Sequence, residues 1–224
     1  MSDDGLHDDF SARAIVHGQG LSWAPSPMPG VWRKRLERSG PAEAGRVTSI
    51  VRYEPGSRFR AHPHPEGEEI LVLEGVFSDH TGDHGPGSYL INPEGFEHAP
   101  FSEPGCVILV KLRQHPGEGR RTIRVDAGDE ACWKPHPEVA GARWVPLHDE
   151  PGWPERMHLL ELPAGTRLPR VRFPRGEELF VLEGSYADEH GTYGRHSWTR
   201  HPPGSTHQLH TDAGCRLYVK KGHL

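Results

Sequence analysis

The chain has 224 residues, a formal net charge of −5 and 34% hydrophobic residues, enough for one large domain or two of about 100 residues. Its acidic residues are dispersed apart from Asp3, Asp4, Asp8 and Asp9, which argues against nucleic acid and anionic membrane surfaces as partners. No apolar run approaches the roughly 20 residues of a membrane span, and no basic N-terminal region precedes an apolar stretch, so a cytoplasmic protein is expected.

Short apolar runs bounded by 27 Gly and 22 Pro recur along the chain, which is an all-β pattern with almost no helical signal. Residues 1–20 read as an N-terminal tail, mobile to about residue 15. A first unit, 21–112, carries strands at Val47–Tyr53, Ile70–Leu73, Val76–Asp79, Ser88–Ile91 and Cys106–Leu112. Turns at Glu54-Pro-Gly, Glu74-Gly, Thr81-Gly, Asn92-Pro-Glu-Gly and Glu103-Pro-Gly separate them. Residues 113–141 read as a connector with one pairing strand. A second unit, 142–224, repeats the pattern at Met157–Leu162, Leu179–Leu182, Ser185–Asp188, Ser197–Arg200 and Cys215–Lys220. Closely spaced antiparallel strands of this kind build a sandwich or a small barrel. Cys106, Cys132 and Cys215 have no CxxC spacing and read as free thiols, Cys106 and Cys215 as small core residues.

The two halves match without a gap at a shift of 109 residues, Glu54–Leu112 falling on Pro163–Lys221. Gly67-Glu68-Glu69 meets Gly176-Glu177-Glu178, Leu73-Glu74-Gly75 meets Leu182-Glu183-Gly184, His98 meets His207, and Gly105-Cys106 meets Gly214-Cys215. Upstream, Trp23-Ala-Pro and Pro29-Gly30 resemble Trp144-Val-Pro and Pro151-Gly152. Two positions break the match: His62 and His64 face Val171 and Phe173.

Those two histidines belong to His62-Pro-His64-Pro-Glu-Gly-Glu68, with His98 about 30 residues later. Side chains alternate along a strand, so His62 and His64 project to one side and Glu68 shares their parity. The Pro93-Glu94-Gly95 turn brings His98 back across the barrel. Three imidazoles and one carboxylate suit a divalent transition metal. They close a tetrahedral site, or leave two positions of a six-coordinate ion open, so the donor set alone does not separate a structural metal from a catalytic one. Fe2+ and Zn2+ lead, with Mn2+, Ni2+ and Cu2+ also compatible. Glu69, on the opposite strand face, is expected to be a supporting partner, and Glu74 and Glu183 exposed turn residues.

The spacing Gly56-x5-His62-x-His64-x3-Glu68-x6-Gly75 resembles the first cupin motif, and Gly87-x5-Pro93-x-Gly95-x2-His98 resembles the second, with Ser102 where the second often ends in Asn. The surrounding wording is more narrowly similar to the cupin domain of ChrR-like anti-sigma factors, a group that includes cupins similar to 2,4'-dihydroxyacetophenone dioxygenase. The resemblance implies two tandem double-stranded β-helix (jelly-roll) barrels, a bicupin, with metal on His62, His64, Glu68 and His98, and a homodimer. ChrR-like factors bind their sigma factor through a separate helical zinc domain with a His-x3-Cys-x2-Cys pattern, which this sequence lacks.

In the second half Val171 and Phe173 cannot ligate a metal, so Glu177 and His207 are expected as a hydrogen-bonded pair in a metal-free barrel, with His158, His201 and His210 as alternative donors. Arg167, Arg170, Arg172 and Arg175 read as a solvated basic edge. Two functions remain. In the first, an iron-dependent dioxygenase cleaves a small oxygenated ketone or diketone in a pocket walled by Tyr53, Phe59, Phe77, Phe96 and Phe101. In the second, the protein is a regulatory or metal-sensing ChrR-like module.

Overall fold

The computed structural model describes residues 5–41 and 43–224, so Asp3 and Asp4 of the acidic tail lie outside the described residues. The described chain is made of β-strands with two short 3-10 turns, Gly18–Gly20 and Glu130–Cys132, and no α-helix. None of it is a helix long and apolar enough to cross a membrane. It forms two compact units, one of Ser22–Asp129 with the residues up to Asp8, the other of Asp9–Leu21 with Glu130–Leu224.

Each unit holds the same main sheet. In the first its order is Ile123–Asp126, Ser88–Asn92, Glu68–Gly75, Cys106–Leu112, Arg46–Tyr53, Val31–Ser39 and Ala24–Pro25. In the second it is Ala14–His17, Ser197–His201, Glu177–Asp188, Cys215–Lys221, Arg156–Leu162, Arg143–His148 and Lys134–Pro135. Smaller sheets face these, with His62–Pro63 pairing Glu97–His98 in one unit and Val171–Phe173 pairing Ser205–His207 in the other. The alternation expected of half-buried strands places Val51, Tyr53, Ile70, Val72, Ile108 and Val110 in the first core, and Leu160, Leu162, Leu179, Val181, Leu217 and Val219 in the second.

One edge strand of each main sheet comes from the other sequence repeat. Ala14–His17 pairs Ser197–Arg200 in the second unit, and Ile123–Asp126, 109 residues on, pairs Ser88–Ile91 in the first at the equivalent register. The N-terminal segment therefore departs from the expected tail over 1–20: backbone hydrogen bonds fix 14–17 in a sheet. The expected connector 113–141 divides as well, its first part to Asp129 packing with the first unit and the remainder with the second.

The upstream match is also corrected. Trp144 pairs Leu160 as Arg33 pairs Val51, while Lys134–Pro135 pairs the Arg143–His148 strand as Ala24–Pro25 pairs Val31–Ser39. Trp23 thus corresponds to Trp133, and Trp144 to Arg33. The Leu-Glu-Gly and Gly-Cys pairs mark a β-bulge in each unit, where the register shifts between Val107 and Ile108 and between Val181 and Glu183. Gly75 sits there at φ 71° and Gly184 at φ 67°. A Cβ on Gly75 would lie 2.0 Å from the Gly105 carbonyl oxygen, and one on Gly184 2.1 Å from that of Gly214, so no larger residue fits either bulge. The three cysteines are free, and burial pushes the Cys106 and Cys215 thiols up to about 11.

Candidate metal centre

His62 and His64 stand on one short segment, clamped against the Pro93–His98 turn by hydrogen bonds from His64 N to Phe96 O and from Gly95 N to His64 O. Register places His62 directly opposite His98. Glu66 and Gly67 turn the chain with positive φ, 59° and 75°, and lead into the strand that begins with Glu68. The four residues singled out by spacing are thereby brought together. His64 Nε2 lies 2.9 Å from His98 Nε2, and Glu68 Oε2 is 3.4 Å from each. The His62 ring completes the group at 4.8 Å from His64 and 5.4 Å from His98, centroid to centroid.

Hydrogen bonds behind the rings set which nitrogen faces inward. His98 Nδ1 is 2.8 Å from Asp79 Oδ2, and His62 Nδ1 is 2.8 Å from the Arg60 carbonyl oxygen. A carboxylate and a carbonyl only accept, so both Nδ1 atoms carry the proton and both Nε2 atoms present lone pairs to the centre. Burial lowers the His64 pKa despite the neighbouring Glu68, keeping that ring neutral. Glu68 accepts a hydrogen bond from Asn92 Nδ2 at 2.9 Å, and Arg124 Nη2 donates to Asn92 Oδ1 at 2.7 Å. Lone pairs converging beside an ionisable carboxylate favour a shared cation, and the donor set fits a divalent transition ion.

Asp79, Asn92 and Arg124 had no signal of their own in the sequence, since Asp79 ends a strand and Arg124 stands in the presumed connector. Glu69 does act as a supporting partner. It accepts hydrogen bonds from Tyr89 Oη and His115 Nε2, each at 2.9 Å, and Glu178 repeats the arrangement with Trp198 Nε1 at 3.1 Å and His223 Nε2 at 2.8 Å. Glu74 and Glu183 are exposed, as expected.

A cavity of about 300 Å³ opens onto His62, His64 and Glu68, walled by Val31, Val51, Tyr53, Phe59 and Ile108 among others. Of the aromatic wall expected, Tyr53 and Phe59 line it. Phe77 and Phe96 pack against the His98 ring at 6.2 and 5.5 Å, and Phe101 carries the Arg58 guanidinium at 4.9 Å instead.

In the second unit Val171 stands opposite His207 and Phe173 packs on its ring at 4.9 Å. His207 Nε2 and Glu177 Oε2 are 2.7 Å apart, the expected pair. His201, at the position of Asn92, joins them with its ring stacked 4.0 Å from His207, so Glu177, His201 and His207 form a second buried group of donors. Cations stand against it: Arg13 Nη2 is 3.0 Å from His201 Nδ1, and Lys221 Nζ is 3.5 Å from Glu177 Oε1. The adjoining cavity is only about 70 Å³. His158 lies beside Trp144 and His210 pairs Arg167 on a short strand, and neither is among the three donors of this group. The four arginines are exposed, with Arg170 paired to Glu189.

The ChrR cupin-like domain family matches residues 11–116 and 121–224, and the chain belongs to that family. No curated protein matches it in sequence. Similar solved structures share the fold. A candidate dioxygenase of Nostoc punctiforme superposes with a TM-score of 0.76 at 17% identity, over 96% of this chain and 84% of that one. The Escherichia coli pirin YhhW in complex with nickel(II) gives 0.67 at 13%, over 94% and 98%. A deletion variant of Bacillus subtilis oxalate decarboxylase gives 0.61 at 13%, over 93% and 76%.

Proposed function

We propose, from that membership and the geometry of the first barrel, that the protein is a metal-dependent oxidoreductase, an iron dioxygenase acting on a small oxygenated ketone or diketone. His62, His64, Glu68 and His98 would hold one divalent ion. The observation that carries this is the opening of the imidazole and carboxylate group onto a cavity of about 300 Å³. A structural site has no need of such access. The nickel-bound pirin and the candidate dioxygenase of the same fold support it.

Iron(II) would supply dioxygen activation and polarisation of a chelating oxygen pair. The chain's own residues do the rest. Asp79 and the Arg60 carbonyl hold His98 and His62 in the tautomer that offers Nε2. Asn92 holds Glu68 in place. Val51, Tyr53, Phe59 and Ile108 exclude water from one side of the site and bind the apolar part of a substrate. Burial, with Glu68 and Cys106 nearby, raises the Tyr53 pKa well above the usual value, so its hydroxyl stays protonated.

The test begins with metal analysis of protein purified without chelators, followed by iron(II) loading and oxygen-electrode assays with hydroxylated aryl ketones and β-diketones. Oxygen uptake that His62→Ala abolishes is the expected result. Zinc as the sole metal bound, with no uptake from any of these compounds, would favour the ChrR-type regulatory module instead.

A further inference from the structure

The cavity that reaches the imidazoles is not walled by apolar groups alone. Val31, Arg33 and Arg35 share one face of their strand, and Val31 and Arg33 line the cavity together with Glu43. Register carries the row from Arg33 through Val51 and Ile108 to Val72, three strand spacings from the strand that supplies Glu68, or about 14 Å across the sheet. One end of the cavity thus holds an Arg33–Glu43 ion pair, and the other the candidate metal ligands.

Arg33 is engaged as it would be by a bound carboxylate. Its Nη1 and Nη2 meet the two oxygens of Glu43 at 2.8 Å each, the fork-to-fork pairing characteristic of guanidinium and carboxylate. Arg35 Nη2 reaches the same carboxylate at 3.2 Å, so two cations share one anion. The Arg33 side chain is anchored in the sheet and 19% exposed, whereas that of Glu43 is 46% exposed. Glu43 also sits at φ 64°, a backbone conformation that non-glycine residues adopt rarely. The cation is built in, and its present counterion is the more exposed partner and sits at a conformational cost.

The second barrel serves as an internal control. There the register position of Arg33 belongs to Trp144, packed on the apolar core, and that of Arg35 to Pro146. The accompanying cavity shrinks to about 70 Å³. The arginine pair therefore accompanies the open cavity and the three imidazoles.

We propose that the first-barrel cavity takes a small molecule with an apolar body and a terminal carboxylate, which binds Arg33 in place of Glu43. The proposal deepens the substrate-cavity reading above and rests on it. Glu43 then acts as a resident competitor that occupies the arginine fork until a substrate carboxylate displaces it. Its own carboxyl is kept ionised by the Arg33 hydrogen bonds, which lower its pKa.

The test is calorimetric titration of the full chain with octanoate and with octanamide, in metal-loaded and chelator-treated protein. Octanoate should bind at least ten times more tightly than octanamide. Arg33→Met should reduce that preference to less than threefold, and Glu43→Gln should tighten octanoate binding at least threefold while leaving octanamide unchanged. Equal binding of acid and amide by the unaltered chain, no binding of either, or a preference that survives Arg33→Met would overturn the proposal. The measurement on chelator-treated protein separates the two readings. A retained preference in a protein that never consumes oxygen sinks the enzyme and leaves the carboxylate site standing, and oxygen uptake without any preference does the reverse.

Discussion

Asp79→Asn isolates the contribution of the group behind His98. The Asp79 carboxylate and the His98 ring are both wholly buried, with Nδ1 and Oδ2 2.8 Å apart. Burial alone would raise the Asp79 pKa, but the nearby His84 ring at 3.8 Å and hydrogen bonds from His98 and Thr81 outweigh it and hold the carboxyl well below the usual carboxylate range. The native bond is therefore charge-assisted, which makes it about twice as strong as a neutral one. Asparagine keeps the shape, removes the charge, and can turn its amide toward His98 in a way that moves the ring proton to Nε2. Removing such a partner costs about 10- to 100-fold in metal affinity, or about 1.4–2.8 kcal/mol. Zinc competition against a chromophoric chelator measures this, with a thermal melt of the metal-free protein as a control for folding. An Asp79→Asn protein that melts normally and binds zinc within threefold of the unaltered chain would refute the role assigned to Asp79.

Two further outcomes follow from the bulges and from the second barrel. Gly75→Ala should cost clearly more stability in urea unfolding than Gly56→Ala. Both residues have left-handed φ, a cost of about 1–2 kcal/mol for alanine, but only at Gly75 does the added Cβ strike backbone, Gly56 having nothing within 4 Å. Equal losses would remove the bulge argument. His201 is held neutral down to about 2, first by burial and then by His207 and Arg13. Its pKa in the unfolded chain is about 6.5, so unfolding takes up a proton between the two values. The stability from this depressed pKa is fully present above about pH 6.5 and falls below it by up to about 1.4 kcal/mol per pH unit. Denaturant titrations from pH 7 to pH 4 should show a shallower slope in His201→Asn, and an unchanged slope would contradict the assignment.

The strands that the sequence made legible are those whose apolar alternation is uninterrupted, and Cys106–Leu112 is observed with the expected bounds. Val31–Ser39 went unseen because Arg33, Lys34, Arg35, Glu37 and Arg38 break the period-two pattern on both faces. That strand is stabilised in other ways, with Lys34 and Arg52 each within 5 Å of the Trp23 ring at 4.8 and 4.7 Å. Ala14–His17 and Ile123–Asp126 are four residues each and find their partners far away in sequence, so no local signal distinguishes them from coil. The imidazoles and Glu68 were readable because strand parity and two turns decide their direction. Asp79, Asn92 and Arg33 were not, because their importance lies in what the fold brings against them.

Both barrels bury three metal-capable side chains, yet one metal per chain is expected, and the difference lies in charge. In the first barrel Arg124 reaches Glu68 through Asn92, touching neither the carboxylate nor an inward imidazole nitrogen in the hydrogen bonds described. Arg124 offsets the Glu68 and Asp79 charges only from a distance, without an ion pair to either among the described residues. In the second barrel Lys221 stands 3.5 Å from Glu177 and Arg13 3.0 Å from His201, while Arg13 also reaches Asp188 at 3.4 Å. Two fixed cations already compensate the carboxylates, and a divalent ion placed beside them would pay like-charge repulsion in a poorly solvated interior. Phe173 and Val171 supply no donor to offset it. Elemental analysis of the iron- or zinc-loaded protein should therefore give about one ion per chain, lost on His64→Ala and retained on His207→Ala. Two ions per chain, the second lost on His207→Ala, would show that Arg13 and Lys221 do not exclude a metal.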